Sequence, residues 1–389
     1  MIATAPTTRG PLVVFAGGGT GGHLYPAIAI AEAIRERLRD VRFAFYGTRR
    51  RIDQRILGSI DCEAVQQDLS PLSKAPWRWP GFYWRLRSSR TYCRERFAAD
   101  RPSVIVGTGG LASVPAVHAG VGCGIPAALL NPDAMPGKAN RHLSRLADVI
   151  FAQWDDTVAQ YPRGTKVVVA GCAIRPAFGT ARRSDGIACF GLDPTKKTLL
   201  VTGASQGART INEAVAANAR LLAELADWQV LHLTGEGDHA YVSDAYRAQS
   251  LRAQVVAYTD RMAEALAAAD LVVSRAGAST LAEITAVGRA SILLPYPYDR
   301  HQHQRANARC LVRAGAARLV NDASDPGVNG PALRETLQAL MTCSAERERM
   351  AAAAQCLGRG TAAADIAEQL IPLAGLSSAV HRHESVQAR

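Results

Sequence analysis

The feature that most constrains this chain is a repeated unit: a short apolar run, a glycine-rich turn, then a helical stretch. Residues 11–16 contain Leu12-Val13-Val14-Phe15 and lead into Gly17-Gly18-Gly19-Thr20-Gly21-Gly22-His23, with a helix expected over 27–38. Further apolar runs stand at 41–46, 103–106, 127–130, 149–153 and 167–170. Such runs, bounded by glycine turns and alternating with helical pattern, are the signature of buried strands in a parallel α/β sheet. The pattern restarts with strands at 198–202, 229–233, 255–257, 271–274 and 291–295 and a long helix over 208–225. A chain of 389 residues has room for two such units. The expected fold is therefore α/β, with two Rossmann-like doubly wound domains facing an interdomain cleft. They span residues 1–175 and 176–375, followed by a polar tail over 376–389. The seam falls over 174–197, where Pro176, Gly179, Gly191 and Pro194 gather.

Open parallel sheets bind ligands beyond the carboxyl ends of their strands, so the turns that follow strands carry the chemistry. Glycines at 17–22 let a backbone approach a ligand closely, and free amides at a helix start attract an anion. Gly17, Gly19 and Gly22 also satisfy the dinucleotide fingerprint G-x-G-x-x-G. The acid that should close the next strand is missing, since residues 41–46 run into Gly47-Thr48-Arg49. His23 in this loop is a candidate base, because a neutral imidazole accepts a proton near pH 7. A second glycine turn, Gly107-Thr108-Gly109-Gly110, follows another strand and is equally readable as a plain tight turn.

In the second half, Thr202-Gly203-Ala204-Ser205-Gln206-Gly207-Ala208-Arg209 opens a helix whose amides, with Ser205, suit a pyrophosphate. Ser274-Arg275-Ala276-Gly277-Ala278-Ser279-Thr280-Leu281-Ala282-Glu283 repeats the device. Glu283 can accept hydrogen bonds from ribose hydroxyls, although a glutamate near a helix start is also an ordinary stabilising choice. Arg175, just before Pro176, is either a charge for the diphosphate or a surface arginine. The stretch Asp299-Arg300-His301-Gln302-His303-Gln304, followed by Asn307, places polar groups after a strand end. Two histidines and an aspartate there are too few for a metal site, so no metal and no cofactor is expected.

Composition bounds the partners. With 45 Lys+Arg against 34 Asp+Glu, the net charge of +11 favours polyanions, acidic lipid or phosphorylated ligands, or reflects a basic proteome. Eight scattered cysteines without a CxxC pair suggest a reducing cytosol. No signal-type apolar stretch opens the chain, and no run of about 18 apolar residues occurs. Residues 72–97 interleave Trp77, Trp79, Phe82, Tyr83, Trp84, Tyr92 and Phe97 with Lys74, Arg78, Arg85, Arg87, Arg90, Arg94 and Arg96. Aromatics and arginines in this mixture suit an anionic membrane surface. A nucleic-acid patch is the weaker alternative, and a partly buried helix with a charged face is another.

Taken in order and spacing, the glycine loop at 17–23, Gly203-Ala204-Ser205-Gln206-Gly207-Ala208-Arg209, Arg275-Ala276-Gly277-Ala278-Ser279-Thr280-Leu281-Ala282-Glu283 and His303-Gln304-x-x-Asn307-Ala308 resemble the MurG family. The likeness covers roughly residues 11–370. These are GT-B glycosyltransferases that convert lipid I to lipid II in peptidoglycan synthesis.

The resemblance implies a UDP-N-acetylglucosamine-dependent hexosyltransferase, lying peripherally on the cytoplasmic face of the inner membrane and acting in cell-wall biogenesis, cell shape and division. Other cell-wall synthesis proteins are implied as partners, and nucleic acid is not. By position, Gly19, Thr20, Gly21, Gly22 and His23 correspond to the acceptor pyrophosphate loop. Arg175, Ser205, Thr259, Ala278, Ser279, Thr280, Leu281, Ala282 and Glu283 correspond to donor contacts, with Glu283 at the ribose. Gln304 corresponds to the contact with the sugar hydroxyls. Asp133 stands where the family usually carries an asparagine, within Leu130-Asn131-Pro132-Asp133 in place of His-Glu-Gln-Asn.

The expected reaction is a metal-independent inverting transfer with His23 as base and Asp133 as the second candidate. A sugar-nucleotide epimerase, another glycolipid synthase of the same fold, and an inactive UDP-sugar-binding protein are the competing readings.

Overall fold

The computed structural model describes residues 10–18, 21–58, 60–70, 72–73, 75–203 and 207–377. Seven parallel strands make the first sheet: β1 (Leu12–Gly17), β2 (Arg42–Gly47), β3 (Glu63–Gln66), β4 (Val104–Gly109), β5 (Ala127–Asn131), β6 (Val149–Ala152) and β7 (Val167–Val169). Their order is β3-β2-β1-β4-β5-β6-β7. Successive side chains point to opposite faces of a strand, and β1 shows why both faces had to be apolar. Val13 and Phe15 join the core with Leu24, Ile30 and Ile34 of the helix Gly21–Arg37. Leu12, Val14 and Ala16 join the opposite core, with Val117 of the helix Ser113–Gly122 and Phe97 of the helix Trp79–Ala99. Phe15 stacks on Phe45 of β2 with ring centroids 5.1 Å apart.

Six parallel strands make the second sheet: β8 (Lys197–Thr202), β9 (Trp228–Leu233), β10 (Ala253–Val256), β11 (Leu271–Ser274), β12 (Ser291–Leu293) and β13 (Ala317–Leu319). Their order is β10-β9-β8-β11-β12-β13, the same winding as in the first sheet. In each sheet the order reverses beside the first strand, between β1 and β4 and between β8 and β11. That reversal opens a crevice at the carboxyl ends, where doubly wound folds bind ligands.

Besides shifted strand ends, as where the strand expected at 255–257 is Ala253–Val256 and that at 291–295 is Ser291–Leu293, the structure departs from the sequence expectations in four places. The first helix starts at Gly21, so Gly21, Gly22 and His23 lie on its first turn rather than in a loop ahead of residue 27. The expected helix over 208–225 is two helices, Arg209–Ala216 and Ala219–Glu224. Asn218 separates them and donates through Nδ2 to both Ala214 O and Gly330 O, at 2.8 and 2.9 Å. An asparagine that bonds backbone carbonyls competes with helix continuation. Strands β3 and β13 are short, and β3 buries only Val65, so neither had an apolar run to announce it.

Finally, two compact units form, but their membership crosses the expected boundary. Asp133–Met135 belongs to the second unit with Ile174–Gly360, and the chain from Thr361 onward belongs to the first. The helix Ala362–Leu373 buries Ile366, Ala367 and Leu370 in the same core as Val13 and Phe15.

Candidate functional site

In the first unit the glycine turns after β1 and β4 pack against each other. A Cβ on Gly17 would fall 1.9 Å from Thr108 Oγ1 and 2.7 Å from Gly109 O, so only glycine fits. Gly109 and Gly110 take φ of +102° and +74°, which L side chains rarely adopt. The His23 ring lies on this bare backbone; a Cβ on Gly109 would stand 2.8 Å from its Cε1. His23 Nδ1 is 2.8 Å from Thr108 O. A carbonyl only accepts, so Nδ1 carries the proton and the Nε2 lone pair is the basic one. Nε2 has no hydrogen-bond partner among the described residues, and the residue is half-buried. Gly21 and Gly22 precede it on the same turn. Gly19 and Thr20 lie outside the described residues.

Sequence reasoning missed Asp53. It looked for an acid at the end of β2, whereas Asp53 reaches that place from the helix Arg51–Leu57. This buried carboxylate accepts from Thr48 N and Thr48 Oγ1 at 3.1 and 2.6 Å. A Cβ on Gly18 would meet its Oδ2 at 2.7 Å. Its place on the following helix instead of at the strand end hid it; an acid in a first helical turn was the available signal.

In the second unit the turn after β11 leads into the helix Ala278–Val287. Its N-cap is Gly277, which supplies no side-chain cap. The first amides of that helix, from Ala278, Ser279 and Thr280, therefore face outward as donors for an anion. The Ser279 hydroxyl is buried without a partner among the described residues. Leu281 and Ala282 turn into the core, and Leu281 N closes the first helical turn on Gly277 O. Their side chains are therefore committed to the core, and their carbonyls accept from Thr285 Oγ1.

Glu283 is half-buried on the next turn. Burial pushes its carboxyl up to about 7, and the nearby Arg175 guanidinium opposes that shift. Arg175 donates to Asp260 O at 3.4 Å and lies over the Phe178 ring. Thr259 Oγ1 accepts from Arg261 N at 3.0 Å, ahead of the helix Met262–Ala268.

Gln304 opens the helix His303–Arg313. Its Oε1 accepts from Tyr296 N at 2.9 Å and Ala276 N at 3.3 Å. With the oxygen engaged, the side chain has its NH₂ group to offer a ligand. Asn307, one turn on, is fully buried. Its Oδ1 accepts from Ala134 N at 2.7 Å, and its Nδ2 donates to Asp133 Oδ1 at 2.8 Å and to Ala276 O. These bonds explain why Asp133 sits in the second unit although the preceding strand belongs to the first. Ser205 lies outside the described residues. On either side of it, a Cβ on Gly203 would meet Ala208 N at 2.1 Å, and one on Gly207 would meet Thr234 O at 2.0 Å.

The helix Trp79–Ala99 divides the aromatic and basic stretch into two faces. Phe97 and Cys93 are core residues, Leu86 packs against that core, and Ser89 Oγ donates to the buried Gln67 at 2.9 Å. Burial removes Phe97 from the proposed surface patch. Outward stand Trp77 at 80% exposure, Trp84 at 68% and Tyr83 at 57%, among exposed Arg85, Arg87, Arg90 and Arg94. No helix among the described residues is long and apolar enough to cross a membrane.

The chain matches two family models: the glycosyltransferase family 28 N-terminal domain over residues 13–152 and the glycosyltransferase family 28 C-terminal domain over 198–370. It is 33% identical over 369 residues to the UDP-N-acetylglucosamine--N-acetylmuramyl-(pentapeptide) pyrophosphoryl-undecaprenol N-acetylglucosamine transferase of Thermodesulfovibrio yellowstonii, covering 92% of this chain and 98% of the relative. The protein of the same name from Syntrophus aciditrophicus is 36% identical over 370 residues, covering 93% and 98%. The crystal structure of Acinetobacter baumannii MurG superposes with a TM-score of 0.74 at 23% identity, over 92% of this chain and 99% of that one, which is a likeness of fold. Two Rossmann-like units, the glycine turns at their strand reversals and full-length similarity to these transferases together place the chain in glycosyltransferase family 28, as a member of the MurG family.

Proposed function

We propose that the chain transfers N-acetylglucosamine from UDP-N-acetylglucosamine to lipid I, giving lipid II with inversion at the anomeric carbon. The observation that carries this reading is the cluster at the end of β11. There an uncapped helix start, the Glu283 carboxyl and the pinned Gln304 amide stand on adjoining segments of one unit. Such a set matches the needs of a nucleotide sugar: amide donors for the diphosphate, a carboxylate for ribose hydroxyls, and amide hydrogens for the sugar. The second unit is accordingly the donor-binding domain, and the first binds the acceptor.

In the reaction the acceptor hydroxyl oxygen forms a bond to the anomeric carbon while the bond from that carbon to the diphosphate oxygen breaks. His23 Nε2 takes the hydroxyl proton. UDP leaves with the electron pair, and its growing charge is met by the helix amides and Arg175. Of the two candidate bases His23 fits better, since its lone pair is oriented by the Thr108 bond, whereas the Asp133 carboxylate is engaged by Asn307. Asp133 then shapes the edge of the donor unit.

The acceptor is lipid-borne, and the outward face around Trp77, Tyr83 and Trp84 with its arginines suits attachment to the anionic cytoplasmic face of the inner membrane. Incubation with labelled UDP-N-acetylglucosamine and lipid I tests the whole reading. A disaccharide lipid is the expected product. An epimerised sugar nucleotide, or donor uptake without any transfer, would overturn it.

A further inference from the structure

We propose that Arg275 is a positioning residue for donor-sugar selection: its guanidinium clamps the two backbone segments that hold the Gln304 amide, and so sets discrimination among UDP-sugars. The inference rests on the reading of Gln304 as the sugar contact. Arg275 follows β11 directly and is buried. Its Nη1 donates to Leu294 O at 3.0 Å, Pro295 O at 3.3 Å and Asp322 Oδ2 at 2.7 Å, and its Nη2 donates to Thr210 Oγ1 at 2.6 Å.

The two amides that bind Gln304 Oε1 belong to Ala276, the residue after Arg275, and Tyr296, the residue after Pro295. One side chain therefore ties together the two chain segments whose spacing fixes the Gln304 oxygen. Asp322 anchors the clamp in turn, accepting from Asn329 Nδ2 and Ser324 N at 2.8 Å each.

A buried ion pair is weak in itself as a source of stability, because desolvation offsets the attraction. What the guanidinium adds is a planar fork that reaches several acceptors at fixed angles, which a lysine cannot copy. If the Ala276 and Tyr296 amides drift apart, the Gln304 carboxamide loses its fixed sense and can present oxygen or NH₂ to the sugar. A site aimed at particular hydroxyls then discriminates poorly between epimers.

The test compares Arg275→Lys, Thr210→Val, Gln304→Ala and Arg275→Lys/Gln304→Ala with the unmodified chain. It measures kcat and KM with lipid I, using UDP-N-acetylglucosamine and its epimer UDP-N-acetylgalactosamine, together with Kd for UDP. Arg275→Lys should raise KM for UDP-N-acetylglucosamine and lower the preference over the epimer by about tenfold, with UDP affinity held within about twofold. The double variant should discriminate no worse than Gln304→Ala alone. Thr210→Val removes two hydrogen bonds of the clamp, the one its hydroxyl accepts from Arg275 Nη2 and the one it donates to Asp322 Oδ2, while the guanidinium stays, and it should shift the same readouts in the same direction; it carries the test if Arg275→Lys does not fold.

If Gln304→Ala leaves discrimination unchanged, the sugar contact itself is misassigned. If Gln304→Ala lowers it while the clamp variants do not, the inference alone is overturned. A rise in UDP Kd parallel to KM would overturn it too, because it would mark a general loosening of the unit.

Discussion

His23 gives its Nδ1 proton to the carbonyl of Thr108, 2.8 Å away, and this bond decides which ring nitrogen can act as a base. The histidine comes from the helix after β1 and the carbonyl from the end of β4, so the tautomer is set where the strand order reverses.

Replacing His23 with alanine should lower kcat for lipid I by about 10²–10⁴-fold, the usual contribution of a positioned base. KM for UDP-N-acetylglucosamine should stay within about twofold. Gly109→Ala tests the orientation rather than the group. The added methyl would stand 2.8 Å from His23 Cε1, at a φ of +102° that disfavours alanine. It should reproduce much of the kcat loss while the histidine is still present. Steady-state kinetics of both variants, with folding checked by circular dichroism, would refute the role if turnover stays near that of the unmodified chain.

Burial pushes the Glu283 carboxyl up to about 7, and the proposed ribose contact therefore predicts that donor binding depends on pH. Ribose hydroxyls donate to the ionised form, so affinity for UDP-N-acetylglucosamine should rise roughly tenfold from pH 6 to pH 8. Glu283→Gln should flatten that profile in titration calorimetry. The stability consequence runs the other way. The folded state holds this proton up to about 7, whereas an unfolded glutamate loses it in the ordinary carboxylate range. The donor-free protein therefore loses stability from this group as pH rises between those values, and Glu283→Gln should be the more stable protein at pH 8. A flat profile for the unmodified chain would rule the carboxyl out of the ribose contact.

Asp322 has the opposite sign. Hydrogen bonds from Thr210, Arg275, Ser324 and Asn329 outweigh its burial and hold its carboxyl below the ordinary value near 4. Its stabilisation is full above that value and is lost as pH falls through the lower, folded one. Asp322→Ala strands the buried Arg275 cation and should cost about 3–5 kcal/mol in urea unfolding at neutral pH. A loss under about 1 kcal/mol would mean that the guanidinium finds another partner or water.

The exposed aromatics give a membrane prediction. Trp77→Ala combined with Trp84→Ala should weaken co-sedimentation with anionic vesicles by about tenfold or more, since each indole contributes apolar area to the interface. Turnover on a short-chain, water-soluble lipid I analogue should be unchanged. Equal binding of the variant and the unmodified chain to anionic vesicles would exclude this face as the attachment surface.

Fold class was legible in the sequence because most of the buried parallel strands are continuous apolar runs, several of them ending at a glycine turn. The expectation at 271–274 coincides with Leu271–Ser274, and that at 198–202 differs from Lys197–Thr202 by one residue. The motif residues were legible for a related reason. Gly109 and Gly207 take positive φ, a demand of the local backbone that a glycine in the sequence can signal.

Everything that depends on residues far apart in the chain had to wait for the tertiary structure. Thr108 selecting the His23 tautomer, Asn307 drawing Asp133 into the second unit and the helix Ala362–Leu373 returning to the first core each join segments with no shared periodicity. Spacing along a chain encodes the pattern of one helix or strand. Which carbonyl meets which imidazole is decided only when separate elements pack.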